Sequence, residues 1–508
     1  MRLEQYINPH VLQRYRCTGR FSTNVRDLDR LVFHKDRFDL MAKLAYGEAY
    51  LSGTVNGWHA AQYREHIRAF NNFNEPDGAG KQGEAAFFDA FHRILLAEAN
   101  DVPWSLNVVP VNEHQMILDG AHRLARAYLR HEPVHLVHFE EAKHAPHYDY
   151  RFFQKRRLDA DVADSLAFEY GLRNEAAHSL IFFPSATRRM ADVGKLLENY
   201  FQVFYHKEIR WTERAPHNII ATLYYGEPWL GSFEDGFAGA LWKQTCCFNC
   251  RRPAHFYIVT TQLGISIIDA KKQLRSLIGL ENHSLHSSTS KAEKIRMMRL
   301  FLNNNALHWA NNAVPSYPKS FINFLRDYRQ VKEASVDACL TGGAVYAAYG
   351  MRDVGDLDYV AARPLRPFLG GEANNEPLAA LLRPLGLGIH HVMEDPRHHF
   401  YYFGDKVMAF RLFLQIRLRA RAEIEGFIDL ARVAAFRGVN TLRNIFPWPL
   451  HRGAMWLLRR SAKITRAVVA RGRKPVEGPH IERVRVESVT PESESSALHN
   501  SQASQSMR

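Results

Sequence analysis

Two aspartates one residue apart, Asp356 and Asp358, follow a glycine pair, Gly342 and Gly343, with twelve residues between them in the stretch Leu340–Tyr359. On a β-strand, side chains at i and i+2 leave the same face about 6–7 Å apart, so both carboxylates can reach a shared pair of divalent cations. Mg²⁺ prefers hard oxygen ligands and is usually held by one or two carboxylates together with a substrate's own phosphates. Glycines let the backbone approach a triphosphate closely and aim N–H groups at it. These four residues outline a metal site with room for a nucleoside triphosphate.

The arrangement resembles the nucleotidyltransferase superfamily: an apolar residue, Gly-Gly or Gly-Ser, a spacer of about nine to thirteen residues, then Asp-apolar-Asp/Glu-apolar. Gly342, Gly343, Asp356 and Asp358 occupy those positions, with Leu357 and Tyr359 as the apolar residues. The resemblance implies that Asp356 and Asp358 hold two metals, one activating an acceptor oxygen and the other neutralising the leaving pyrophosphate. It also implies a third carboxylate on a later strand. Asp395 is the expected ligand, with Asp405 and Glu394 as alternatives around His399–Phe403. Arg352, Lys406 and the row Arg417, Arg419 and Arg421 are candidate phosphate contacts, with Arg352 assigned to the nucleotide.

A second phosphate-handling pattern lies in Pro110–Ala125, where Asp119-Gly120-Ala-His122-Arg123 makes a tight turn between an apolar strand and a helix. A helix start offers unpaired N–H groups and a positive dipole end, and arginine adds a two-pronged clamp for an anion. The segment resembles the ParB/sulfiredoxin superfamily, closest to the branch of ADP-dependent free-serine kinases. The resemblance implies nucleotide phosphates at Gly120, with Asp119, His122 and Arg123 as catalytic candidates. The loop Glu75–Lys81 is not a Walker A loop, because the Gly-Lys-Ser/Thr ending is missing.

A third pattern runs from Leu180-Ile-Phe-Phe-Pro-Ser-Ala186 to Arg275 and His283-Ser-Leu-His286-Ser-Ser288. In order and spacing it is similar to nucleoside diphosphate kinases, which implies a phosphoryl-relay role for His286 and a nucleotide contact from Arg275. Phe183 stands where that family has a phosphate-binding lysine, Ser185 replaces an aspartate, His283 an asparagine and Thr289 a second aspartate. A retained fold with a binding or architectural role is the competing expectation.

These motifs need elements to carry them. The spacing predicts helices at Tyr63–Phe70, Glu84–Ala99 and Gly120–Arg130, with strands at Leu106–Val109 and Val134–Phe139, so 1–150 reads as a mixed α/β unit. Residues 151–177 read as a helical connector. Residues 178–312 form a second unit with strands at Ser179–Phe183, Phe201–Tyr205, Ile219–Tyr225 and His255–Thr261, and helices at Asp192–Tyr200 and Lys291–Asn303. The two prolines of Ala313–Ser320 mark a boundary. Residues 313–440 then carry helix Phe321–Glu333, strands Leu357–Val360 and His399–Phe403, and a long helix from Val407 to Arg421. Residues 441–508 read as a basic helical segment, Trp448–Val469, and a Ser-rich disordered tail. The expected class is α/β and α+β, three mixed domains with that C-terminal extension.

Length and charge agree. At 508 residues the chain holds several cores, and its 46% hydrophobic and 23% charged content excludes wholesale disorder, a fibre or an integral membrane protein. The net charge of +13 favours phosphate-bearing partners, and nine Lys or Arg without any Asp or Glu between Thr441 and Val476 fit an anionic membrane face. Five cysteines, with Cys246, Cys247 and Cys250 clustered, fit a reducing cytoplasm better than a disulfide framework or a zinc site. The start of the chain has no apolar signal segment.

The combined expectation is a cytoplasmic Mg²⁺-dependent nucleotidyltransferase with a peripheral contact at the inner membrane. It moves a nucleoside monophosphate from an NTP, CTP or ATP, onto a small acceptor that an N-terminal kinase-like domain phosphorylates, as in surface polysaccharide modification. Nucleic acid is not an expected partner. The alternatives are a nucleotide-switched nucleic-acid-binding regulator, or a small-molecule kinase whose other domains are scaffolds.

Overall fold

The computed structural model describes residues 7–419 apart from 16–19, 76–80, 98–106, 144 and 333–335. The expected basic segment and tail at 441–508, Arg421 and Cys17 lie outside the described residues. Those described fall in one compact unit built on three separate sheets. The class is mixed α/β and α+β, as the sequence pattern predicts.

The first sheet contains β1 (Phe21–Val25), β2 (Val108–Asn112) and β3 (Val134–Phe139) in the order β1-β3-β2, with β3 antiparallel to β1 and parallel to β2. Beside it, helices Asp39–Leu51, Gly57–Asn71 and Glu84–Leu96 bury an aromatic core of Tyr46, Tyr63, Phe87 and Phe91 with Ile67 and Leu95. Helix Gly57–Asn71 starts where the Asn56 side chain accepts the His59 N–H at 2.9 Å, and it ends at Asn72 in a left-handed conformation. Ala121–Leu129 is the helix that the Asp119–Gly120 turn opens.

The second sheet, β4 (Ala177–Phe182), β5 (Phe201–Ile209), β6 (Ala254–Thr261) and β7 (Leu285–Ser287), is antiparallel throughout, in the order β5-β6-β4-β7. Second-third-first-fourth is the order of a split β-α-β arrangement. Leu197, Ala270, Leu274 and Ile278 from helices Met190–Tyr200 and Ile267–Ile278 close one core on Leu180, Phe182 and Val259 of the strands. The expected strand Ile219–Tyr225 is instead a helix, Ala215–Leu223, with all of its residues buried. A helix buried on every side has no polar face, so its β-branched residues read as strand.

The third sheet holds β8 (Ala338–Leu340), β9 (Leu357–Ala361), β10 (Gly371–Ala373), β11 (His399–Tyr402) and β12 (Asp405–Met408), in the order β10-β9-β8-β12-β11. β8 is antiparallel to β9 and parallel to β12, while β10 runs parallel to β9. The expected helix from Val407 begins at Phe410 instead, because Asp405–Met408 is a fully buried strand that pairs on both edges. The Pro-rich boundary is tied down: Trp309 Nε1 donates to the Ala348 carbonyl at 2.8 Å and the Val314 N–H to Tyr349 at 3.0 Å. No helix among the described residues is long and apolar enough to cross a membrane.

Candidate active site

β9 lies between β8 and β10, and alternation along it buries Leu357 and Tyr359 while Asp358 stays half-exposed on the other face and Asp356 exposed just before it. β8 delivers the glycines to the same place. Leu340 pairs with Tyr359, the Thr341 N–H donates to the Asp358 carbonyl at 2.9 Å, and the chain then turns at Gly342. Gly342 has φ +53°, in the left-handed region, and a Cβ there would stand 1.8 Å from Asp358 Oδ2. Only glycine fits so close to that carboxylate. The Gly343 N–H points at the same oxygen, at 3.3 Å.

The third carboxylate comes from the opposite neighbour. Glu372 of β10 is in register with Asp358, and the carboxylates of Asp356, Asp358 and Glu372 bring oxygens within 4.8 Å of one another. Burial pushes the Asp358 carboxyl above its ordinary pKa; the Gly343 N–H opposes this, whereas Asp356 and Glu372 add to it by like-charge repulsion. Arg417, on helix Phe410–Arg419, is near enough for its charge to pull the Asp358 pKa back down. Arg352 also lies near the turn, its Nη2 3.8 Å from where a Cβ on Gly343 would be. Three crowded acids flanked by two guanidinium groups can hold a divalent cation and a polyphosphate together.

The expected third ligand, Asp395, is elsewhere. It is 2% exposed and fixed by Arg397, whose Nε and Nη2 reach its two oxygens at 2.6–3.0 Å. The alternatives are also engaged away from the turn: Asp405 accepts from Arg329 Nε at 2.6 Å, and Glu394 from the Asn56 amide. Lys406 spends its ammonium on both oxygens of Asp337 at 2.7 Å. Sequence reasoning missed Glu372 because β10 is three residues long. The available signal was an acid directly after Gly370 and Gly371, between the Asp pair and the next strand.

In the Asp119–Arg123 turn, Gly120 takes φ +88° and opens the helix, as the turn pattern predicts. Arg123 folds back over it, with Nη2 3.1 Å from Asp119 Oδ2. His122 faces inward: its Nε2 meets the Tyr63 hydroxyl at 2.9 Å, its ring packs 4.7 Å from Phe91, and burial drives its pKa well below the ordinary value. Burial therefore favours the neutral imidazole over the protonated one.

His286 sits on β7, buried beside Tyr224 at 4.7 Å between ring centres, with Nε2 2.9 Å from Glu293 Oε1. Arg275 turns inward to Asn282 Oδ1 at 2.6 Å and the Leu285 carbonyl at 3.0 Å. Phe183 is fully buried, and Ser185 donates to the His283 carbonyl at 2.7 Å. The structure thus brings His286 and Arg275 to neighbouring positions around β7, some distance in sequence from the acidic cluster. Comparison with protein-family models, with curated proteins and with solved structures finds no match to this chain.

Proposed function

We propose that the chain is a Mg²⁺-dependent nucleotidyltransferase acting at the third sheet. The single observation that carries this reading is the convergence of Asp356, Asp358 and Glu372 beneath a Gly342 turn too tight for any side chain. The residues suit the cation: three hard oxygen donors crowded on one spot repel one another until a positive ion neutralises them. Bound there, Mg²⁺ would supply charge neutralisation at the leaving pyrophosphate and acidify an acceptor hydroxyl. The chain's own residues do the rest. Gly342 and Gly343 leave the backbone open to a triphosphate, Arg352 and Arg417 add positive charge beside the cluster for its phosphates, and Asp356, Asp358 and Glu372 hold the cation.

The base, CTP or ATP, and the small acceptor are set by contacts beyond this cluster. The Asp119–Arg123 turn is the place at which an accessory kinase would phosphorylate that acceptor, in a pathway such as surface polysaccharide decoration. Cytoplasmic placement, with the 441–508 segment at an anionic inner membrane, completes the proposal.

The test is Mg²⁺-dependent pyrophosphate release from each NTP by wild type, Asp356→Asn/Asp358→Asn and Glu372→Gln. Loss of turnover in the double variant and a higher Mg²⁺ requirement in Glu372→Gln are expected. Equal release by all three overturns the reading.

A further inference from the structure

A different group of side chains lies behind the Asp119–Arg123 turn, in the core between helices Asp39–Leu51 and Gly57–Asn71. Arg37, Asp39 and Lys43 have side chains only 4%, 1% and 4% exposed. Both cations converge on one oxygen: Arg37 Nη2 lies 2.8 Å and Lys43 Nζ 3.0 Å from Asp39 Oδ2. The other oxygen, Asp39 Oδ1, is buried with no hydrogen-bond partner, and so is Arg37 Nε. Two cations sharing one carboxylate leave a formal excess of one positive charge in the interior, which burial disfavours.

The neighbouring helix adds more unsatisfied groups. His66 is completely buried with neither ring nitrogen hydrogen-bonded, and Gln62, one turn earlier on the same helix face, leaves Oε1 unpartnered. One aromatic wall joins these side chains. Lys43 Nζ lies 5.9 Å over the Phe70 ring, His66 stacks on the same ring at 6.0 Å, Phe70 meets Tyr148 at 4.7 Å, and Arg37 covers Tyr148 at 5.5 Å. Burial pulls the pKa of Lys43 down while Asp39 props it up, and burial with the charges of Lys43 and Arg37 drives that of His66 well down. Native interiors seldom leave so many adjoining polar atoms without partners.

We propose that this group binds a compact protonated oxyanion of the hydrogen-phosphate class. The donors and acceptors match. Arg37 Nε and one His66 N–H can donate to anionic oxygens, while Asp39 Oδ1 and Gln62 Oε1 each accept from one of the two P–OH groups of the dihydrogen-phosphate monoanion. The negative charge balances the excess of Arg37 and Lys43. Sulfate has the same shape but carries no proton near neutral pH, so it would leave Asp39 Oδ1 facing a negative oxygen. The partly exposed Glu75–Lys81 pair, 2.7 Å apart, is close enough for Glu75 to influence Lys43 and Lys81 to influence His122.

This site is separate from the acidic cluster of the third sheet, so its failure leaves the nucleotidyltransferase reading untouched. The experiment titrates the full chain with inorganic phosphate, sulfate and ADP at constant ionic strength, by calorimetry and thermal shift. Saturable binding of phosphate with a rise in Tm, at least about tenfold tighter than sulfate, is expected, and Lys43→Met and His66→Phe should each weaken it about tenfold or more. Gln62→Leu, a milder change, should weaken it several-fold if either of those variants does not fold. ADP binding that depends on the same residues assigns the anion to a nucleotide's terminal phosphate, and ADP binding that is absent or independent of them assigns it to free phosphate or a small phosphomonoester. Absence of saturable phosphate binding, equal binding of sulfate, or phosphate affinity unchanged in every folded variant overturns the proposal.

Discussion

At the scale of single residues, Asp358 decides most. Burial, with Asp356 and Glu372 adding to it, raises its pKa in the folded state. A raised acid contributes stability at low pH that is lost as pH climbs through its folded pKa. Asp358→Asn is therefore expected to match wild type in acid and to exceed it by roughly 1–3 °C in Tm at neutral pH without metal, a gap that Mg²⁺ closes. Differential scanning calorimetry across pH with EDTA or Mg²⁺ checks this. Gly342→Ala is expected to push Asp358 aside, since the new methyl would stand 1.8 Å from its carboxylate. Pyrophosphate release should fall by about 100-fold or more. The Asp pair and the glycine turn were legible in the sequence because both are local patterns within one hairpin-like stretch. Glu372 was not, because its place depends on which strand pairs with β9, and register is a long-range property.

At the scale of elements, β10 is a three-residue edge strand whose main task is to bring Glu372 opposite Asp358. A Cβ on Gly371 would lie 2.2 Å from the Phe368 ring, so Gly371→Val is expected to displace this strand while the rest of the sheet persists. Mn²⁺ affinity, followed by electron paramagnetic resonance, should drop about tenfold or more with the far-ultraviolet circular dichroism unchanged. Most helices and strands were readable from periodicity and caps, including β3, whose bounds match the expected Val134–Phe139. The misreadings share a cause. Helix Ala215–Leu223 and strand β12 are buried throughout, and an element without a solvent face shows no alternation from which to infer its period.

At the scale of the whole molecule, the first and third sheets are joined through side chains that sequence inspection assigned to other work. Asp395 holds Arg397, and the Arg397 guanidinium covers Trp58 at 4.6 Å. The Asn303 amide donates to the Pro396 and His399 carbonyls, each at 3.1 Å, fixing the same corner. Asp395→Asn is expected to lower stability by about 1–3 kcal/mol in urea unfolding while leaving Mg²⁺ affinity as it was. A loss of Mg²⁺ affinity without loss of stability would return Asp395 to the metal site. Sheet order could not be read from the chain, because nothing local distinguishes β12 beside β8 from β10 beside it.

Trp58 also belongs to helix Gly57–Asn71, the one that carries Tyr63 and His66 further along. Eight residues separate Trp58 from His66, about 12 Å of stiff rod. Over that span a tilt of about 5° becomes a displacement of about 1 Å, so cargo settling at His66 would work this rod as a lever against the plate of Arg397. A fragment cut out before the third sheet loses the fulcrum.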